Sequence, residues 1–169
     1  GMENIDAEFA TRSGISLISS PAGNRDAVAE HVLGMLLILM NRLFIASNEV
    51  KNGIWKREEN RGDELLGKTF GIIGYGNMGK AVAKRLSGFG VKVIFHDILP
   101  NLSDEFATQV SLEALQKRAD VLSLHIPFYK IYFHLSINYL YLGHNEQHQN
   151  HELLSCMSLY ISCILTPIR

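Results

Sequence analysis

The pattern of apolar and polar positions predicts short buried strands that alternate with amphipathic helices. Apolar runs typical of strands covered on both faces occur at Phe70–Ile73, Val91–His96 and Val121–His125. Between them, apolar residues recur at helical spacing, and Ser111 is placed to cap the helix before the last run. Strands and helices of these lengths predict right-handed β-α-β units, hence an α/β fold with a doubly wound parallel sheet.

The segment before the first of these strands is predicted to be mainly helical. A helix over Ala7–Thr11 and a strand over Ile15–Ile18 come first, and Asn24 is a good cap for the helix that follows. From Arg25 to about Val50, apolar residues follow the 3.6-residue period and also spread around the middle of the segment. We therefore expect one long helix that is covered by the sheet on one side and by a second subunit or a missing part of the chain on the other.

The residues that join the first strand to its helix have the spacing of a phosphate-binding turn. They read Gly74-Tyr75-Gly76-Asn77-Met78-Gly79, which is the pattern G-x-G-x-x-G. The first glycine allows a sharp reversal, the second lets a diphosphate approach the backbone, and the third lets the helix pack close to the strand. Unpaired amides in the first turn of the new helix, aided by its dipole, favour an anion there.

Asp97 strengthens this prediction because it ends the next strand, 18 residues after Gly79. An acidic side chain near that spacing accepts hydrogen bonds from the adenosine ribose and repels a 2′-phosphate. The pattern therefore favours NAD over NADP. The alternative is a glycine turn in some other α/β protein with an acidic residue at a strand end by chance.

Composition and charge exclude several classes of function. The chain has 169 residues, a formal charge of −1 and no N-terminal signal pattern, so nothing suggests a nucleic-acid partner or an anionic membrane. The longest apolar run, Val32–Met40, is about half of what a bilayer span requires. Two cysteines, Cys156 and Cys163, give no disulfide framework. We therefore expect a soluble, cytoplasmic protein without a membrane or nucleic-acid partner.

In their order and spacing, the motifs resemble those of the D-isomer-specific 2-hydroxyacid dehydrogenases, and within that family most of all the D-3-phosphoglycerate dehydrogenases. The resemblance covers residues 1–127 through the segments GMENID, PAGNRDAVAEH, LLGKTFGIIGYGNMGKAVAKRL, VIFHD and ADVLSLHIP. It implies a Rossmann-like domain that binds NAD. The residues implied to bind the cofactor are the turn, the ribose acid and a triplet after the last strand: Gly74, Gly76, Asn77, Met78, Gly79, Asp97, His125, Ile126 and Pro127.

The same resemblance implies a division of the chain. Residues 1–20 correspond to the end of a substrate domain, and residues 21–66 to an interdomain helix with its connection, which in the family packs against its copy in a dimer. Residues 67–128 correspond to the first part of the NAD-binding domain, so the sheet is expected to be incomplete. The helix from Arg25 is thus a candidate contact for a homodimer, or for a heterodimer with a longer relative.

The sequence departs from the family after Phe128. The family's substrate-binding Arg, its acid–base His and the Glu or Asp beside that His all lie beyond the strand that corresponds to Val121–His125. Residues 129–169 hold five of the six tyrosines but only Lys130 as a lysine and Arg169 as an arginine, and they are interpreted as an unrelated tail. No catalytic residue is therefore predicted, and His125 is interpreted as a cofactor-edge or structural residue.

Three functional hypotheses follow from this departure. The first is an NAD-binding fragment of a 2-hydroxyacid oxidoreductase that cannot turn over. The second is a non-catalytic module for NAD binding or dimerisation, and the third is a truncated product without its own function. His144, His148 and His151 share helical spacing, with Cys156 after them, but the surrounding pattern is irregular and we predict no metal site.

Overall fold

The structure of the protein, a computed structural model, describes residues 5–126. Its first part is helical, and its second part alternates strands with helices. In chain order, the elements are α1 (Ala7–Arg12), α2 (Arg25–Met40), α3 (Leu43–Lys51), β1 (Thr69–Ile73), α4 (Asn77–Leu86), β2 (Lys92–His96), β3 (Thr108–Gln109), α5 (Leu112–Arg118) and β4 (Val121–Leu124). The predicted strands over Phe70–Ile73, Val91–His96 and Val121–His125 are confirmed to within one residue at each end.

Four parallel strands form the sheet in the order β3-β2-β1-β4. β1 lies between its two partners, and Ile72 pairs with Phe95 on one side and with Ser123 on the other. The chain therefore moves outward from β1 to β2 and β3, then returns to place β4 on the opposite side of β1. This reversal confirms the predicted Rossmann-like, doubly wound topology.

Helices cover both faces of the sheet. On one face, α2 and α4 enclose a core that includes Leu36, Phe70 and Leu86. On the other face, Leu115 of α5 packs with Ile73 and Ile94. Each strand of the pair β1 and β2 sends alternate side chains to opposite faces, which is why its sequence is a continuous apolar run rather than an alternating one.

The predicted long helix over Arg25–Val50 is wrong, because it is two helices bent by 60°. Arg42 adopts a left-handed conformation, with φ of 52°, at the break. The amide of Asp63 donates to the carbonyl oxygen of Met40 at 2.8 Å and so satisfies one of the acceptors at the end of α2. A contact from a segment more than twenty residues away stabilises this end of α2, so the helical period alone could not reveal the break.

The predicted strand over Ile15–Ile18 is also wrong. These residues form no strand, and Ile15 and Ile18 are exposed. An apolar run becomes a strand only where a sheet edge is available to pair with it, and this segment has none in residues 5–126. Asn24 does occupy the N-cap position of α2, but its side chain makes no capping hydrogen bond.

Within residues 5–126, no single helix is long and apolar enough to cross a membrane. The bent pair of α2 and α3 passes that test on length and composition only. α2 buries Ala29, Val32 and Leu36 in the protein core, as a core helix does.

Candidate cofactor-binding site

The turn after β1 is tightly packed on one side. Gly74 has φ of +90°, and a Cβ atom there would lie 2.5 Å from the carbonyl oxygen of His125. A Cβ atom on Gly79 would collide with the carbonyl oxygen of Gly74. Neither position accepts a side chain, because in both cases the obstacle is backbone.

Gly76 differs from these two glycines. A Cβ atom there would meet nothing within 4 Å, and the residue is exposed. The protein itself therefore places no steric demand for glycine at this position. An open position above a glycine of the turn is what a diphosphate needs if it is to approach the backbone.

The first turn of α4 offers unpaired amides beside that open position. Gly76 is the N-cap of α4 and has no side chain that could accept a hydrogen bond from them. In contrast, α1 and α5 are capped by the side chains of Asp6 and Ser111, which accept from Phe9 and Ala114. The start of α4 is therefore suited to an anionic ligand, and the residues present fit a dinucleotide diphosphate.

Asp97 lies beside the turn, where the parallel pairing of β1 with β2 places it. Its Oδ2 accepts a hydrogen bond from the amide of Tyr75 at 2.6 Å, and its Oδ1 accepts one from the amide of Leu99 at 3.0 Å. The backbone on both sides thus fixes the orientation of the carboxylate. The amide of Gly74 also donates to the carbonyl oxygen of His96 at 2.9 Å, which ties the turn to the end of β2.

No pattern of the sequence indicates that Tyr75 is a core residue. The side chain is buried, and its ring stacks on Phe95 with 3.8 Å between centroids and 12° between planes. Its hydroxyl donates to Oδ1 of Asp104 at 2.8 Å. Burial, and then the neighbouring Asp104 carboxylate, raise the pKa of Tyr75, so the phenol remains a hydrogen-bond donor at neutral pH. The middle position of a G-x-G pattern carries no signal for such a contact.

His125 follows β4 on the other side of the turn. Its amide donates to the carbonyl oxygen of Ile73 at 2.7 Å, and its Nε2 lies 2.9 Å from the hydroxyl of Ser123. Burial lowers the pKa of His125 to about 4, so the imidazole is neutral at physiological pH. The neighbouring Ile126 approaches Gly74, whereas Pro127 lies outside the described residues.

The fold therefore gathers the sequence-predicted positions within residues 5–126 at the carboxyl ends of β1, β2 and β4. In open parallel sheets, ligands bind in the crevice where the strand order reverses, which here lies between β1 and β4. Within residues 5–126, no group of three or more His, Cys, Asp or Glu side chains could hold a metal ion. The cluster of His144, His148, His151 and Cys156 lies outside that range.

Comparison with protein families decides the relationship. Residues 33–137 match the family model described as D-isomer specific 2-hydroxyacid dehydrogenase, NAD binding domain. The chain belongs to this family. The match continues past Phe128 to residue 137, so the family resemblance extends beyond residues 1–127, the range that the sequence motifs indicate. The predicted Rossmann-like domain and its cofactor, NAD, are confirmed.

Individual relatives agree with this assignment. The chain is 39% identical over 127 residues to a hydroxypyruvate reductase of Thermotoga maritima, an alignment that covers 75% of this chain and 42% of that protein. It is also 39% identical over 130 residues to the D-3-phosphoglycerate dehydrogenase of Homo sapiens, with 75% of this chain and 24% of that protein covered. The chain thus spans less than half of the length of either relative.

A solved structure of a Staphylococcus aureus NAD-dependent formate dehydrogenase in complex with NAD is also similar. Its TM-score is 0.71 at 27% sequence identity, and the superposition covers 84% of this chain and 44% of the other. The described fold is therefore that of the NAD-binding domain in this family.

Proposed function

We propose that this chain binds NAD through the glycine turn and Asp97, as the cofactor-binding part of a 2-hydroxyacid oxidoreductase, and that it does not turn over by itself. The observation that carries the proposal is the combination of an uncapped helix start behind Gly76 with a fixed carboxylate at Asp97. The first is complementary to a diphosphate, and the second to ribose hydroxyls.

The proposed diphosphate contacts come from the turn and from the backbone of α4. Gly74 and Gly79 set the path of the chain, Gly76 leaves room above it, and the amides of Asn77 and Met78 lie in the first helical turn. The helix dipole adds to this attraction for an anion. The last turn of α4 carries Lys84 and Arg85, which complement the opposite end of the dipole.

Asp97 is proposed to bind the adenosine ribose and to select NAD. Its carboxylate can accept hydrogen bonds from the two ribose hydroxyls, whereas a 2′-phosphate would bring like charges together. His125, Ile126 and Pro127 are proposed to line the adenine and ribose side of the crevice. The neutral state of the His125 imidazole supports this role, since an uncharged ring suits contact with a base.

Bound NAD supplies a hydride acceptor, so the chain would have to supply a proton acceptor and a cation to hold the substrate carboxylate. By family resemblance, the residues with those roles lie beyond the strand that corresponds to β4. Residues 129–169 offer Lys130 and Arg169 as their only Lys and Arg side chains. We therefore propose that the chain holds and orients the cofactor without catalysing oxidation of a D-2-hydroxy acid.

Calorimetric titration with NAD, together with an assay of 2-hydroxyacid oxidation, tests the proposal. NAD binding without NADH production from glycerate, lactate or 3-phosphoglycerate is the expected result. Absence of NAD binding would refute the cofactor role. NADH production would refute the lack of turnover and would place catalytic groups within this chain.

The domain division and the dimer also remain proposals. We propose that residues 1–20 are the end of a substrate domain and that α2 and α3 contact a second copy or a longer relative. Exposed apolar side chains on and after these helices support this contact: Ile38, Leu43, Phe44, Val50, Ile54 and Trp55. Sedimentation of the wild type and of Phe44→Glu tests it by comparing their oligomeric states, with Ile98→Glu, at an exposed apolar residue after β2, as the control of equal charge change. The cytoplasmic location stays a prediction.

A further inference from the structure

We propose that Tyr75 is a positioning residue that holds the Asp97 carboxylate in register with the glycine turn and thereby sets the preference for NAD over NADP. The inference rests on the proposed function, in which Asp97 binds the ribose. Tyr75 is the only residue of the turn with a large side chain directed into the core, where it is 1% exposed.

The backbone of Tyr75 contacts Asp97 directly. Its amide donates to Oδ2 of Asp97 at 2.6 Å, a short hydrogen bond to a charged acceptor. The direction of that amide depends on the peptide plane between Gly74 and Tyr75. Gly74, with φ of +90°, does not by itself restrict this plane, because glycine accepts many conformations. Packing of Gly79 against the carbonyl oxygen of Gly74 restrains one side of this peptide, and a restraint on the Tyr75 side is also needed to fix it.

The side chain of Tyr75 supplies that restraint at two points. Its ring stacks on Phe95 of β2, two positions before Asp97, so one ring orders both the turn and the strand that leads to the carboxylate. Its hydroxyl donates to Oδ1 of Asp104 at 2.8 Å. The same oxygen accepts the amides of Phe106 at 2.9 Å and Ala107 at 3.1 Å, so it belongs to a structured loop.

Cofactor preference distinguishes a positioning role from a purely structural one. A core residue that only stabilises the fold would change the affinities for NAD and NADP by the same factor. A residue that orients Asp97 would change their ratio, because the carboxylate attracts the ribose hydroxyls of NAD and repels the 2′-phosphate of NADP. The ratio of the two dissociation constants is therefore the decisive quantity.

The test uses the full chain, titrated with NAD and with NADP, and compares five variants with the wild type. Tyr75→Phe keeps the stacked ring and loses one hydrogen bond, so the preference for NAD should fall about threefold. Tyr75→Leu also loses the stack, and its preference should fall about tenfold. Asp104→Ala removes the same hydrogen bond together with those from Phe106 and Ala107, so its preference for NAD should fall at least as far as in Tyr75→Phe. Leu115→Ala, which opens the core on the other face of the sheet, should lower the thermal midpoint and leave the preference unchanged.

A preference that stays constant in Tyr75→Phe, Tyr75→Leu and Asp104→Ala would overturn the inference while leaving NAD binding intact. Failure of the wild type to bind NAD would overturn the proposed function and this inference with it. If Tyr75→Leu does not fold, Tyr75→Phe and Asp104→Ala decide the question, because each removes polar contacts without emptying the core. Asp104→Asn retains an acceptor oxygen and should restore the wild-type preference.

Discussion

The carbonyl oxygen of His125 occupies the space that a side chain on Gly74 would need, with 2.5 Å between that oxygen and the position of a Cβ atom. Gly74 follows β1 and His125 follows β4, two strands separated by more than forty residues of chain. Their contact lies at the bottom of the crevice between β1 and β4, where the strand order reverses. The turn is therefore shaped by the neighbouring strand as well as by its own glycines.

The close contact predicts a large loss of stability in Gly74→Ala. The new methyl group would meet the backbone of His125, just after β4, and a φ of +90° is unfavourable for alanine, so unfolding free energy should fall by about 2–5 kcal/mol. Urea denaturation measures the change. Gly88→Ala is the matched control, since a Cβ atom there would meet nothing within 4 Å and the backbone has no positive φ. Equal stability of the two variants would contradict the prediction.

Gly76→Ala should separate folding from binding. Its Cβ atom would point into open space, so the loss of stability should be limited to the poorer N-cap, about 1 kcal/mol or less. NAD affinity should nevertheless fall by about tenfold or more, because the methyl group would stand where the diphosphate approaches the backbone. Calorimetric titration and thermal unfolding give the two quantities. Wild-type NAD affinity in this variant would argue against a diphosphate at Gly76.

Asp97→Asn should weaken the preference for NAD over NADP by about tenfold, because the repulsion of a 2′-phosphate disappears with the charge. The amide side chain keeps one acceptor oxygen, so one of the two backbone hydrogen bonds to this position can survive. Competition of NAD and NADP for the same protein measures the effect. Asp120→Asn is a suitable control, since Asp120 accepts an amide hydrogen bond from Thr69 at the opposite end of β1. A similar change in this control would show that the effect is not specific to the site.

The burial of His125 predicts that the fold loses stability in acid. Its pKa is lowered by burial from 6.5 to about 4, so between these values the unfolded chain binds a proton that the folded chain excludes. The unfolding free energy is therefore highest above pH 6.5. It falls by up to about 3 kcal/mol as the pH drops from there towards 4. The difference in unfolding free energy between the wild type and His125→Asn, followed across this range, isolates the contribution. A difference independent of pH would contradict it.

Much of the fold could be predicted because the relevant signals are local. Buried parallel strands need continuous apolar runs, and Phe70–Ile73 and Val121–His125 show them. Ser111 was correctly predicted to cap α5, since the capping hydrogen bond spans only three residues. In contrast, β3 has two residues and no periodic signal, and it exists because it pairs with β2.

Other features depended on contacts between distant segments. The bend at Arg42 coincides with a hydrogen bond from Asp63, and the exposed segment over Ile15–Ile18 found no strand to pair with in residues 5–126. The contact of Tyr75 with Asp104 joins residues far apart in sequence. No local pattern encodes such pairs, because the sequence around each residue does not indicate which distant residue it will contact.

By itself, the sequence determined the glycine turn, the acidic residue at the end of the second strand and the alternation that yields a doubly wound sheet. These follow from short-range rules of backbone conformation and hydrophobic period. Only the tertiary structure decided that Asp97 binds the amide of Tyr75 and that His125 closes against Gly74. The physical reason is that strand order and register bring those groups within hydrogen-bond or van der Waals distance, and both are set by the packing of the whole sheet.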